Sequence, residues 1–365
     1  MRFIGVEKNL TEKQKRLLIT GGTGFIGEVL VKKLYESGYD LRLFVRKTSN
    51  ILPFKEFGGI EYYIGDITNL EDVKKASENI EVIFHLAAYT GIWARNKSIY
   101  DDINVKGTEN VAEAALEKDI RLLYVSSFTA LGPTPEEPVH ESYEKTGQFY
   151  LEYERTKYEA KKIIQDYFDK GLNGVMFYPG IVYGPGDFNI FGEMLYDIVR
   201  GKFLGCPGDG QSMACFSYVY DVVDAMIKAL ERDEINQEDF ILGGENIPFV
   251  DYLNLIAEIA GNKKPRHFPM TFAKVYGWLC ELGAKITKNI PYITRDTLNS
   301  FELNRAYSSE KAIEMLDYNI TPLKEGLKNT IEWYQDYIES DKDSDNGTLT
   351  AEELAEERDN IEIIK

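Results

Sequence analysis

Residues 16–27 read Arg-Leu-Leu-Ile-Thr-Gly-Gly-Thr-Gly-Phe-Ile-Gly. A short apolar run passes straight into Gly21, Gly24 and Gly27, and the amphipathic stretch Val29-Leu30-Val31 with Leu34 follows. Strand, glycine turn and helix in that order suit a dinucleotide's pyrophosphate. Gly21 permits the tight turn, Gly24 lets the backbone approach the phosphates, and Gly27 lets the helix pack on the strand. The helix N-terminus adds free N–H groups and a partial positive charge. Phe25 and Ile26 lie within the same turn and belong to the same predicted cofactor-binding surface. A glycine triplet alone is weak; the strand before it and the helix behind it give it meaning.

The same alternation continues through the first half. Apolar runs at Leu17–Thr20, Leu41–Val45, Glu61–Ile64, Val82–Leu86, Leu122–Ser126 and Val175–Tyr178 predict strands. Helical patterns fall between them at Glu28–Ser37, Leu70–Ser77, Asp102–Lys118 and Phe149–Lys170, with Gly38 and Gly171 where C-caps belong. This predicts an α/β fold with a doubly wound parallel sheet. After Gly180 the pattern turns irregular, with short helices expected at Phe191–Arg200, Tyr220–Glu231, Tyr252–Ala260 and Leu323–Tyr337. That half reads as a smaller substrate lobe over the sheet's carboxyl edge, where open α/β sheets bind ligands. The expected organisation is an extension over 1–15, a dinucleotide-binding domain over 16–180, an interleaved substrate lobe over 181–338 and an acidic tail over 339–365.

Bulk properties exclude several classes. With 365 residues, 44% hydrophobic and 13% aromatic, the chain has material for a large core. A net charge of −18 argues against nucleic acid and against anionic membranes. Residues 336–365 carry 11 acids and 3 bases, so the tail supplies −8 of that charge. Cys206, Cys215 and Cys280 lack metal-ligand spacing and suit a reducing compartment, so a cytoplasmic protein without a bound metal is expected. There is no apolar run long enough to span a bilayer.

Two positions bear on the cofactor. An acid about 20 residues after the glycine motif holds the adenosine ribose diol, whereas an arginine accommodates a 2′-phosphate. Here the second strand ends in Arg46-Lys47, with no acid, which favours NADP over NAD. Gly65-Asp66-Ile67 follows the third strand. Asp66 is placed to hydrogen-bond adenine, to cap the helix at Leu70, or both.

The chemistry points to a tyrosine. In Tyr153-Glu154-Arg155-Thr156-Lys157 the i,i+4 spacing puts a phenol and an ammonium on one helix face. A phenol with a pKa of about 10 is a poor acid–base group at neutral pH, and a nearby cation lowers that value. The spacing recurs at Tyr158/Lys162 and Tyr307/Lys311, so it does not choose by itself. The choice comes from Val125-Ser126-Ser127-Phe128-Thr129, at the carboxyl end of the fifth strand and 26 residues before Tyr153.

Together with His85-Leu86-Ala87-Ala88, Asn104-Val105-Lys106-Gly107-Thr108 and Tyr178-Pro179-Gly180-Ile181, these motifs stand in one order. The chain resembles the extended short-chain dehydrogenases/reductases, of the NAD-dependent epimerase/dehydratase superfamily, over about residues 16–335. The resemblance implies a Rossmann-type fold and a catalytic set of Ser127, Tyr153 and Lys157. It implies cofactor contacts from the glycine motif, Arg46, Asp66, Ile67, Ala87, Ala88, Tyr153, Lys157, Pro179 and Ile181. Tyr158/Lys162 then falls too late, and Tyr307/Lys311 reads as a surface helix pair.

Val45-Arg46-Lys47-Thr48-Ser49 and Leu242-Gly243-Gly244-Glu245-Asn246 resemble the dihydroflavonol-reductase-like branch, and Tyr276-Gly277-Trp278-Leu279 is similar to farnesol-dehydrogenase-like proteins. That branch implies oxidoreduction of an alcohol or carbonyl on a small apolar substrate, and it admits NAD beside NADP. A homodimer is compatible with it. The chain departs from the family at Tyr218 and Tyr220, where a histidine and an aspartate are usual; Asp221 remains and reads as a helix N-cap. Tyr89, Trp93, Phe188, Phe191, Phe203 and Tyr218 are candidates to line an apolar cleft.

Two other functions compete with this one. A nucleotide-sugar epimerase or dehydratase would hold NAD without net turnover. A non-catalytic cofactor-binding protein would lack turnover altogether. Finally, residues 341–354 resemble a calcium loop whose acids stand one residue out of register, so a solvated acidic tail is expected.

Overall fold

The computed structural model describes residues 15–145, 147–287, 291, 293–343 and 363–364. Nearly all of the N-terminal extension and the stretch 344–362, which holds most of the calcium-loop pattern, lie outside them.

In the first half, strands β1 (Arg16–Thr20), β2 (Asp40–Val45), β3 (Glu61–Ile64), β4 (Val82–His85), β5 (Arg121–Val125) and β6 (Gly174–Pro179) form where expected. Helices α1 (Phe25–Glu36), α2 (Leu70–Ala76), α3 (Ser98–Tyr100), α4 (Gly107–Glu117) and α5 (Glu152–Asp169) connect them. A six-residue π-turn, Asp101–Lys106, joins α3 to α4. Gly38 and Gly171 take positive φ after α1 and α5, and each N–H returns to the closing turn.

The second half contributes β7 (Ile181–Tyr183), β8 (Cys206–Pro207), β9 (Met213–Tyr218), β10 (Glu238–Leu242), β11 (Asn246–Pro248) and β12 (His267–Phe268). Its helices are α6 (Ile190–Val199), α7 (Val219–Glu231), α8 (Phe249–Ile259), α9 (Met270–Thr287), α10 (Arg295–Phe301), α11 (Glu310–Leu316) and α12 (Leu323–Asp343). Strand β10 and helices α9, α10 and α11 stand where the sequence pattern predicted no element.

The main sheet is parallel, in the order β10-β6-β5-β4-β1-β2-β3. A final pair, β13 (Ile363–Ile364), adds beside Tyr62 and Tyr63, so the last residues of the chain return to the sheet edge. Period-two alternation feeds both faces. Leu17 and Ile19 pack with α1, α7 and α11, whereas Leu18 packs with α4 and α5. A strand buried on both sides has few polar positions, which is why these runs read as mostly apolar. The smaller sheet, β11-β9-β7, sits in the second half beside α8 and α12. Asp221 lies inside α7 rather than at its cap; its carboxylate accepts from the N–H and hydroxyl of Thr321 at 2.7 and 2.8 Å.

Candidate active site

Parallel strands send their carboxyl ends to one edge, and loops from that edge surround a cleft of about 1890 Å³. Gly21 follows β1 with φ of +73°, and a Cβ there would lie 2.6 Å from the Ala87 nitrogen after β4. Gly27 is tighter: a Cβ would lie 2.2 Å from the Gly21 carbonyl oxygen. No side chain caps α1, whose N-cap is Gly24. The first N–H groups of α1 therefore face the cleft unpartnered by side chains, which suits a pyrophosphate. Gly21, Gly24, Phe25, Ile26, Gly27, Arg46, Asp66, Ile67, Ala87 and Ala88 all line this half of the cleft. Arg46 is exposed there. Asp66 accepts from the N–H and hydroxyl of Thr68, both at 2.9 Å, while Asn69 caps α2 by accepting from Glu71 N–H. The capping expected of Asp66 belongs to Asn69.

The other half of the cleft holds the predicted chemistry. Ser127 leaves β5 in extended conformation and opens a short 3₁₀ turn. Its Oγ accepts from the Thr129 N–H at 3.3 Å and the Thr129 hydroxyl at 3.0 Å. Those two bonds leave its own proton to point elsewhere, and the Tyr153 phenol stands near enough to feel the Ser127 hydroxyl. Burial raises the Tyr153 pKa above 10, and the Ser127 hydrogen bond opposes that rise. Lys157 lies one helical turn on, fully buried, with Nζ donating to the Val125 carbonyl at 3.1 Å. Burial alone brings its pKa from 10.5 to about 7. Gly180 and Ile181 line the cleft beside this trio; Pro179 is paired with Leu242 in the sheet and is not among the lining residues.

The competing pairs lie elsewhere. Lys162 folds over the ring of its own Tyr158, at 4.6 Å. Tyr307 is buried, outside any helix, and donates to the Gly132 carbonyl, while Lys311 pairs with Glu238 and Asp239. The reading of that pair as a surface helix pair is thus corrected. Of the candidate aromatics, Tyr89, Trp93, Phe188, Phe191 and Phe203 line the cleft, and Tyr218 does not. Tyr218 is buried against Tyr183 and Tyr220.

Two networks escaped the sequence reading. The first runs beneath the glycine-turn half of the cleft. Thr108 donates to the Asn104 carbonyl at 2.7 Å, so its oxygen must accept from His85 Nε2 at 3.1 Å. That fixes the His85 tautomer, and Nδ1 then accepts from the Thr20 hydroxyl at 2.7 Å. Thr20 in turn accepts from the Ala87 N–H at 3.3 Å. Burial, then the nearby Lys157 charge, brings the His85 pKa down to about 3, so the ring is neutral. Asn104 sits in the π-turn and clamps Tyr89 through both backbone groups, at 2.7 and 3.1 Å. Its amide also donates to Thr156 Oγ1 at 3.0 Å, fastening α5 between Tyr153 and Lys157.

The second network is a buried ion pair in the wall of the cleft. Glu154 Oε1 accepts from Arg305 Nη2 and from the Ser300 hydroxyl, each at 2.6 Å. Its other oxygen accepts from the Tyr150 and Leu151 N–H groups at the start of α5. Glu154 sits next to Tyr153 in sequence, and no motif marks its partner 151 residues away.

Known proteins resemble this chain over most of its length. A model of the NAD dependent epimerase/dehydratase family matches residues 17–243. A Synechocystis sp. protein named for dihydroflavonol 4-reductase is 27% identical, over 87% of this chain and 94% of its own. The 3beta-hydroxysteroid-dehydrogenase/decarboxylase isoform 1 of Arabidopsis thaliana is 28% identical, over 88% of this chain and 80% of its own. Among solved structures, gox2253 superposes with a TM-score of 0.75 at 29% identity, covering 89% of this chain and 99% of that one.

Proposed function

The chain belongs to the NAD-dependent epimerase/dehydratase family, and from that premise we propose that it is an NAD(P)-dependent oxidoreductase acting on an alcohol or carbonyl of a small apolar substrate. In this reading residues 16–180 bind the dinucleotide and residues 181–338 supply the substrate side. The glycine turn and the uncapped start of α1 hold the pyrophosphate, and Arg46 favours the 2′-phosphate of NADP. The bound nicotinamide supplies or accepts hydride. Ser127 and Tyr153 hold the substrate oxygen, and Tyr153 passes the proton. Lys157, when protonated, lies on the same helix face and favours the phenolate.

The observation that carries this proposal is the Ser127–Tyr153 hydroxyl pair on the cleft wall, with Lys157 buried one turn away. The test is net NADPH oxidation by the purified chain with ketones and aldehydes of prenol, flavonoid and sterol type. Tyr153→Phe should lower turnover by about 10² to 10⁴-fold with cofactor binding retained, while Tyr158→Phe leaves turnover unchanged. Tightly held NAD with no net turnover would instead indicate an epimerase, and loss of activity in Tyr158→Phe alone would refute the assignment.

A further inference from the structure

Helix α9 is built inside out. Its small residues Ala273, Gly277 and Ala284 are buried, and Gly277 approaches Thr294 and Arg295 so closely that a Cβ would lie 3.3 Å from both. Its large apolar residues face solvent: Phe272 is 73% exposed, Val275 60%, Leu279 53% and Ile286 78%, joined by Tyr276, Trp278 and Leu282. At about 100° per residue these seven fall within an arc of about 160°. Leu204, 71% exposed, stands on the loop before β8, which pairs with β12 just ahead of α9. Soluble surfaces rarely leave so continuous an apolar face uncovered.

Charge identifies what covers it. The chain carries −18 overall, yet residues 262–287 hold five bases, Lys263, Lys264, Arg266, Lys274 and Lys285, against the single acid Glu281. Glu281 is bound to Arg295, and Lys274 to Glu302. Lys263, Lys264, Arg266 and Lys285 are exposed, as is Lys202 on the Leu204 loop. An apolar arc flanked by bases in an otherwise acidic protein matches a helix that lies in a bilayer interface. No helix among the described residues is long and apolar enough to cross a membrane. A second copy of the chain fits less well, because a two-fold interface through this face would set bases against bases.

We infer that α9 and the Leu204 loop dock on the surface of an anionic lipid bilayer. Met270, Ala273, Tyr276 and Leu204 also line the cleft, so its mouth opens at the docked face. The net charge of the whole chain predicts repulsion; the local distribution reverses that prediction. The docking stands independently of the reaction proposed above.

Flotation of the full chain with vesicles tests it directly. The chain should float with phosphatidylcholine–phosphatidylglycerol vesicles at low salt, and stay behind with phosphatidylcholine alone or at high salt. Phe272→Ser/Ile286→Ser should abolish flotation, and Lys263→Gln/Lys264→Gln should weaken it by about fivefold for each base removed. Both variants should keep the circular dichroism and dinucleotide binding of the parent, since all four side chains are exposed. Failure of the parent to float with mixed vesicles, or flotation of both variants equal to that of the parent, overturns the inference. So does a dimer in vesicle-free solution that Phe272→Ser/Ile286→Ser dissociates.

Discussion

Replacing Lys157 by methionine should stabilise the fold at acid pH and cease to do so at alkaline pH. The side chain is 3% exposed and its amine has one hydrogen bond, to the Val125 carbonyl. Unfolded, the amine keeps its proton up to its ordinary pKa of 10.5; folded, it releases it near 7. Between those values the unfolded chain binds more protons, so native stability rises with pH across that window. Below it, the folded state bears the whole cost of a buried charge. A fall from 10.5 to about 7 corresponds to an upper limit of about 5 kcal/mol, at about 1.4 kcal/mol per pH unit. Methionine keeps the stem and carries no charge, but it strands the Val125 carbonyl at a cost of about 1–3 kcal/mol. Lys157→Met should therefore exceed the parent by about 2–4 kcal/mol near pH 6, and lose about 4 kcal/mol of that margin by about pH 10. Urea midpoints of both proteins at the two pH values measure the margin. A margin that does not change with pH would show that the buried amine titrates normally, and would refute the argument.

The remaining predictions rest on single contacts. Gly27→Ala should destabilise by about 1–3 kcal/mol in thermal melts and weaken dinucleotide binding, because its Cβ would meet the Gly21 carbonyl at 2.2 Å. Arg46→Asp should weaken NADP binding and spare NAD in calorimetry; tighter NAD than NADP in the parent would refute the role given to Arg46. Truncation after Asp343 removes β13, which meets the sheet through two residues, so melts should place the loss within about 0.5 kcal/mol.

The first half of the fold was legible because each of its signals is local. The glycine turn, the apolar strands and the amphipathic helices each reveal themselves within a dozen residues. Strand β10 did not, since Glu238-Asp239 opens it with acids that pair with Lys311 from a distant helix. Helix α9 was hidden for a different reason: its apolar stripe reads as a core face, yet points outward. Within the site, Ser127, Tyr153 and Lys157 could be placed by motif and spacing. The clamp formed by Asn104 could not, because its reach to Tyr89 and Thr156 depends on the π-turn. Glu154 and Arg305 meet only once the chain has closed on itself. Asp66 and Asp221 were misread as caps because an acid that closes a local turn, as Asp66 does with Thr68, or accepts across the fold, as Asp221 does from Thr321, looks like a capping residue in sequence.

The order of the main sheet also governs how the chain must be made. Every residue of β6 from Gly174 to Pro179 is buried, and on one side its partner is β10. A ribosome releases β6 some sixty residues before β10 exists, as the distance from Pro179 to Glu238 shows. Throughout that interval the nascent sheet ends in a wholly apolar strand with an open ladder, the kind of edge that recruits other chains. Native structure at this border arrives only when synthesis passes Leu242. The first 180 residues, though they contain the entire glycine motif and Tyr153, thus carry a sheet edge that only the second half of the chain closes.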